Sequence, residues 1–464
     1  MHFHQYVFSI LVLSAYTTAF YVWNSDSAVE SPGSKDENVE KRAPFYTWRD
    51  EPTESDGTDS NPPTLKIKRK PQKVAESLHA RIQREVDYVA NKYGRRNLKE
   101  SSVKGNGDTA RQHQPRGSPV KRDNQYSIET AAPASQTNSV AVHQDGTDFS
   151  YFASIALGSE GKEMYVLIDS GAANTWVMGA DCTTRACNAH NTFGKEDSDT
   201  LEVLDKEWSV SYGTGDVSGV IFNDTVSLAG FTIPFSFGGA LEASDDFLNY
   251  PMDGILGLGR AASNELDVPT IMDVLSQEKK LKANLFGVNL QRHADGATDG
   301  EVTFGEWDES KFEGDLKWIS STAKDGLWEI QIDDVSVGDE GVGFKGKKAV
   351  IDTGTSFILL PPSDAQKLHA QIPDASIKGA TYDLPCSTTA NLRFTFAGVG
   401  YDVPPKDYVG NTTSGDRCLS NIIPRQYSGP DNWLMGDTFL KNVYAVFDFD
   451  QDRIGKPLQP TPRL

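Results

Sequence analysis

One arrangement occurs twice in this chain at long range. An apolar run, Tyr165-Val166-Leu167-Ile168, leads into Asp169-Ser170-Gly171, and a second, Ala349-Val350-Ile351, leads into Asp352-Thr353-Gly354. Two further apolar pairs, each closed by a glycine, follow: Ile255-Leu256-Gly257 starts 86 positions beyond residue 169, and Leu434-Met435-Gly436 starts 82 beyond residue 352. Matched motifs at nearly equal spacing mark a duplicated unit, so the chain is expected to build two similar lobes, each supplying one aspartate. Two carboxylates held close together cannot both ionise and therefore share a proton, which places an acid and a base at one point. The glycine after each aspartate permits the tight turn that such an approach requires.

The 464 residues include about 38% apolar side chains, 40 glycines and 23 prolines. That composition predicts a turn-rich, mainly β body. Phe152 to Leu157 alternates as a strand does, and Val443 to Phe449 resumes the pattern. Lys206 to Phe222 has two β-prone arms around Tyr212-Gly213-Thr214-Gly215, which reads as a projecting hairpin. From Phe149 onward few helices are expected, one from Pro269 and another from Pro362. The four cysteines, Cys182, Cys187, Cys386 and Cys418, are even in number and admit three disulfide pairings, of which pairing within each lobe is the economical one. No C-x-x-C accompanies them, which disfavours zinc.

The N-terminal part has a different character. Tyr6 to Phe20 is apolar enough for a signal-peptide core and short for a membrane span, with Thr17 and Ala19 before a cut near residue 20; an uncleaved anchor is the alternative. Residues 21–122 read as a leader, disordered and polar from Ser25 to Pro63, then basic with a helical pattern from Val74 to Val89. Lys121-Arg122 would end it at a dibasic processing site, with Lys41-Arg42 and Arg95-Arg96 as competitors. Residues 1–122 carry 20 Lys+Arg against 15 Asp+Glu, a net of +5. Of the chain's 45 basic and 65 acidic residues the remainder keeps 25 and 50, a net of −25. A cationic leader on an anionic body would be held near neutral pH and loosened in acid, as a zymogen requires; the alternative is a leader that only helps folding, or an acidic surface that only aids solubility. The acidic body also argues against nucleic acid as a partner.

Six ordered matches give the chain a resemblance to the secreted pepsin-like aspartic endopeptidases of fungi, covering residues 149–457. They are the two aspartate motifs, the run from Asp169 to Val177 (DSGAANTWV), Tyr212-Gly213-Thr214-Gly215, Asp253 to Gly259 (DGILGLG), Trp328 to Asp333 (WEIQID), and Trp433 to Leu440 (WLMGDTFL) with Tyr444 to Phe449 (YAVFDF). The resemblance implies an all-β, bilobal fold with a cleft between lobes at about 149–315 and 316–464, inside a mature body of 123–464. It also implies acid hydrolysis of peptide bonds in polypeptide substrates, by Asp169 and Asp352 acting on a water. Ser170 and Thr353 would cross-bond the two turns, Gly171 and Gly354 would allow the approach, and Thr355 would support its aspartate. Tyr212, Gly213 and Thr214 would form a flap over substrate with Trp176 as the partner of Tyr212, and Ile255 is a candidate pocket wall. Disulfides Cys182–Cys187 and Cys386–Cys418 are implied, with no cofactor, no metal and a monomeric body. The leader would serve as the intramolecular inhibitor.

Two positions depart from the family pattern. Ala172 replaces the hydroxyl residue usual three positions after the first aspartate, whereas Thr355 keeps it after the second. Thr214 replaces a flap-tip aspartate, and Asp216 follows two residues later. The rival reading is a catalytically inactive relative that keeps the fold and serves as a binding or inhibitor protein. Asn223 and Asn411 head glycosylation sequons consistent with a secreted, extracellular chain. Gly215 to Gly219 matches the letters of a serine-nucleophile elbow but lies in a hairpin arm. The polar C-terminal residues 456–460 do not read as a lipid-anchor signal.

Overall fold

Both aspartate motifs end up in the same arrangement of strands. The computed structural model describes residues 124–460 apart from 213, 214 and 324, with side chains as far as Gly455. The expected signal segment, the leader with its helix over 74–89 and the dibasic pairs lie outside the described residues, as do Gly213 and Thr214. In the first lobe Lys162–Asp169 runs parallel to Gly254–Gly257, with Asp169 opposite Gly257, and Trp176–Met178 returns antiparallel to that inner strand. In the second, Lys347–Ile351 runs parallel to Asn432–Met435, with Ile351 opposite Met435, and Ile358–Leu360 returns antiparallel. The returning strands then pair in parallel with Phe231–Ala243 and Ile422–Pro424. The duplication expected from spacing is thus a duplication of topology.

The sequence explains why these strands take the centre. Parallel strands covered on both faces read as unbroken apolar runs, and Val166, Ile168, Leu256, Val350, Ile351 and Leu434 are all buried. The glycine closing each inner strand is required by close approach. A Cβ on Gly257 would stand 2.4 Å from the carbonyl carbon of Ala173, and one on Gly436 would stand 2.1 Å from the Thr355 carbonyl oxygen. Neither contact is tolerable.

A shared sheet joins the halves. Its neighbouring strands are, in order, Phe312–Ser320, Arg453–Pro460, Tyr444–Asp448, Leu285–Asn289, Glu301–Phe304 and Ser139–Gln144. Tyr444–Asp448 from the end of the chain therefore pairs directly with Leu285–Asn289 from the first half. The strand Ser139–Gln144 precedes residue 149, where the alternating pattern becomes obvious. Its sequence, SVAVHQ, is short and polar at both ends, and it is held by partners on both sides. The hairpin is present as Glu202–Tyr212 against Gly215–Leu228, with Tyr212 opposite Gly215. The helix over Ile271–Gln277 starts at Thr270, whose hydroxyl accepts from Asp273 N–H while the Asp273 carboxylate accepts from Thr270 N–H. Pro362–His369 forms the second expected helix. Cys182 is bonded to Cys187 and Cys386 to Cys418.

That second helix carries a buried histidine with a pH consequence. His369 Nδ1 faces the Ala365 carbonyl at 2.7 Å, so it bears the hydrogen, and Nε2 lies 2.8 Å from the Ser420 hydroxyl. The ring stacks on Tyr382 with centroids 3.9 Å apart. Burial lowers its pKa to about 4. An unfolded histidine takes its proton near 6.5, so the stabilisation is complete above that pH. It is lost, by on the order of 3 kcal/mol, as pH falls through the folded value. A His369→Gln variant is expected to lose less Tm between pH 6.5 and 4 than the native chain. Equal losses in both would refute the assignment.

Candidate active site

Asp169 ends its strand and Asp352 follows its own, and both side chains are fully buried with their turns facing each other. The turns are cross-linked reciprocally. Ser170 N–H donates to the Thr353 hydroxyl at 2.9 Å, and Thr353 N–H donates to the Ser170 hydroxyl at 3.0 Å. Each hydroxyl passes its own hydrogen across the interface, Ser170 to the Ile351 carbonyl at 3.1 Å and Thr353 to the Ile168 carbonyl at 2.8 Å. A hydroxyl is one donor and two acceptors, so the chemistry of serine and threonine fits this exchange and that of alanine or valine does not.

Each carboxylate also accepts within its own turn. Gly171 N–H reaches Asp169 Oδ1 at 2.9 Å, and Gly354 N–H reaches Asp352 Oδ1 at 2.9 Å. The Thr355 hydroxyl adds a bond of 2.7 Å to Asp352 Oδ2. Ala172, at the matching place beside Asp169, has no hydroxyl to offer. The turns come so near that a Cβ on Gly354 would stand 2.5 Å from the Asp169 carboxylate carbon. Ser170, Gly171, Thr353, Gly354 and Thr355 are therefore gathered around the two aspartates, as the sequence suggested.

The hairpin bears on the same site. Trp176 Nε1–H donates to the Tyr212 hydroxyl at 2.8 Å, and both rings are buried. Burial holds the Tyr212 phenol far above its usual pKa, with a smaller push from the negative charge of Asp169. It therefore stays neutral wherever the carboxylates titrate. Asp216, beside the hairpin tip, is exposed.

Next to the turns lies an apolar pocket. Phe149, Ser150, Leu167, Phe247, Tyr250, Met252 and Ile255 line it from the first lobe, and Gly354, Ser356 and Asp437 from the second. Ile255 was singled out by the sequence, whereas Phe247, Tyr250 and Met252 were not. A signal existed for Leu167, because a residue two before an aspartate on a strand shares its face. None existed for residues 245–252, a short 3₁₀ turn and loop without periodicity. Phe247 packs edge-on against both Trp176 and Tyr212, at 5.4 and 6.1 Å between centroids, and so links the pocket to the hairpin.

The remaining expected residues are peripheral. Asn411 is exposed, and Asn223 is half-buried with its amide 3.1 Å from Glu202. Among the described residues no helix is long and apolar enough to cross a membrane.

Comparison with known proteins agrees with this geometry. The family model for eukaryotic aspartyl proteases matches residues 150–457. The chain is 52% identical over 337 residues to a protein of Trichophyton verrucosum named "Probable aspartic-type endopeptidase CTSD", covering 72% of this chain and 66% of that one, just under two thirds of its length. It is 46% identical over 339 residues to the "Aspartic-type endopeptidase ctsD" of Aspergillus fumigatus, covering 73% and 71%. It is 35% identical over 321 residues to "Cathepsin E" of Mus musculus, covering 66% and 80%. With two cross-bonded aspartate turns in a duplicated β fold and these matches, the chain belongs to the eukaryotic aspartyl protease family.

Proposed function

We propose that the chain is a secreted aspartic endopeptidase, made as a zymogen and active in acid as a monomer, with Asp169 and Asp352 as its catalytic pair. The reciprocal bonding of Ser170 and Thr353 carries this reading, because it is what holds two carboxylates together against their repulsion. In the proposed mechanism one carboxylate is ionised and takes a proton from a water held between the pair. The water oxygen attacks the peptide carbonyl carbon while the protonated partner hydrogen-bonds the carbonyl oxygen. The tetrahedral intermediate collapses as the peptide C–N bond breaks and the nitrogen gains a proton. No covalent enzyme intermediate forms. Gly171 and Gly354 act through backbone N–H groups that orient the carboxylates, and Tyr212, with Gly213 and Thr214, closes over the substrate.

The apolar lining supports substrates with an apolar side chain beside the scissile bond. The net of +5 on residues 1–122 against −25 on the rest supports a leader that covers the site until acid or cleavage after Arg122 releases it. The apolar segment Tyr6 to Phe20 and the sequons at Asn223 and Asn411 support secretion with glycosylation.

The decisive experiment digests an unfolded protein with the secreted product at about pH 3.5, with and without pepstatin, a ligand of shared-proton aspartate pairs. Cleavage should require removal of the leader, stop with pepstatin and vanish in Asp352→Asn, and endoglycosidase should lower the product's mass. Pepstatin-resistant cleavage would sink the mechanism, and a processed chain inactive at every acidic pH would favour the inactive binding protein.

Two variants test the geometry. Gly354→Ala should keep its fold but lose about a hundredfold or more in kcat, since the added methyl displaces the Asp169 carboxylate. A kcat within threefold of native would contradict the proposed placement. Ala172→Ser adds a donor to a carboxylate, which favours its ionised form. The acid limb of the kcat/KM profile should therefore move to lower pH, and a limb that stays put or rises would count against a role for position 172.

A further inference from the structure

The residues that follow Lys121-Arg122 are bound to the outside of the pocket wall. Asn124 N–H donates to Asn191 Oδ1 at 2.7 Å, and the Asn124 amide donates to the Pro251 carbonyl and to Asp253 Oδ1, both at 2.7 Å. Gln125 N–H reaches the Ala189 carbonyl at 3.0 Å. The Asn124 side chain also turns the backbone by accepting from Tyr126 N–H at 2.8 Å. Tyr126 then stacks on buried His190, with centroids 4.9 Å apart, and its hydroxyl donates to the Leu248 carbonyl at 2.5 Å. Burial pushes that phenol up to about 12, so it remains a donor at any pH where the site works. Ile128 packs on the apolar cluster that contains Phe247, Tyr250, Met252 and Ile255.

These contacts fall on two stretches, residues 188–191 and 248–253, and the second carries Tyr250 and Met252 of the pocket lining. The second stretch has little regular structure to hold it. It is a 3₁₀ turn over Asp245–Asn249 followed by loop. Its fixed points include the bonds from residues 124–126, the backbone bonds of Asp253 with Tyr165 and Met178, the carboxylate of Asp253 and a ring nitrogen of His190 that lies 2.8 Å from the Tyr250 carbonyl. Asp253 in turn collects N–H donors from Tyr165 and Asn191 as well as Asn124.

We infer that residues 124–128 are a strap that sets the position of the pocket wall, with Asn124 and Tyr126 as positioning residues for substrate binding. The inference rests on the proposed role of the pocket in taking a substrate side chain. It also gives the Lys121-Arg122 site a consequence. A cut there leaves the strap intact, whereas a cut a few residues later removes it.

The test uses the processed, glycosylated chain as Asn124→Ala, Tyr126→Phe and the double variant. Two peptides are compared that differ only in carrying phenylalanine or alanine beside the scissile bond, with active enzyme counted by pepstatin titration. For the phenylalanine peptide KM should rise roughly three- to tenfold in the double variant, about one hydrogen bond's worth. The kcat should change less than twofold, and the alanine peptide should be affected little. Amide hydrogen exchange should quicken at 247–255 and stay unchanged at 352–360. Unchanged KM with a smaller titratable fraction, equal losses on both peptides, or native exchange at 247–255 would each overturn the strap. The exchange measurement needs no turnover, so a native chain that fails to cleave would refute the proposed function while the strap is still read.

Discussion

The reciprocal bonds between Ser170 and Thr353 are the constraint on which the rest of the molecule depends. Two buried aspartates brought together repel as they ionise, and burial itself opposes charge on either. Something neutral must hold them in place. The two hydroxyls do so by each accepting a backbone N–H from the opposite turn and each donating to a backbone carbonyl of the opposite strand. Removing one hydroxyl would strand an N–H and a carbonyl in a site with no exposed surface, at a cost of about 1–3 kcal/mol for each group left unsatisfied. The shared sheet through Tyr444–Asp448 and Leu285–Asn289 keeps the lobes in register so that these bonds can form.

Around that symmetric centre the two turns are supported unequally. Asp352 accepts from Gly354 N–H and from the Thr355 hydroxyl, while the equivalent of that hydroxyl beside Asp169 is the methyl of Ala172. A hydrogen bond to a carboxylate favours its charged form. The pair is thus chemically asymmetric although its backbone is nearly two-fold, and the asymmetry was visible in the sequence as one residue.

Legibility followed the kind of physics involved. The aspartates, the glycines at 257 and 436 and the parallel strands were readable because close approach and double-sided burial leave few residue choices. The hairpin was readable because two alternating arms flank a glycine-rich tip. The pocket wall at 245–252 was not, since its side chains are placed by a loop whose shape comes from contacts more than fifty residues away, such as His190 with the Tyr250 carbonyl. Residues 124–128 were still less visible. They are a short stretch with no period, and nothing in the sequence marks the contacts of Asn124 with Asp253 and of Tyr126 with His190. The strand Ser139–Gln144 lay between these cases, too short for its alternation to stand out.

The duplication also explains where the two lobes are free to differ. Each must keep the aspartate strand, the inner strand and its closing glycine, because each forms half of the central contact. The connections between these strands carry no such obligation. In the first lobe the connection holds the hairpin of Tyr212 and the wall from Phe247 to Ile255, tied together where Phe247 meets Trp176 and Tyr212. In the second it holds the helix over Pro362–His369 and the disulfide Cys386–Cys418, none of whose residues lines the apolar pocket. The pocket lining therefore comes mainly from the first lobe, while the second contributes Gly354 of its turn, Ser356 and Asp437. Under the proposed function, a change in substrate preference would come from altering residues 247–255 or whatever positions them, without disturbing the cross-bonded turns.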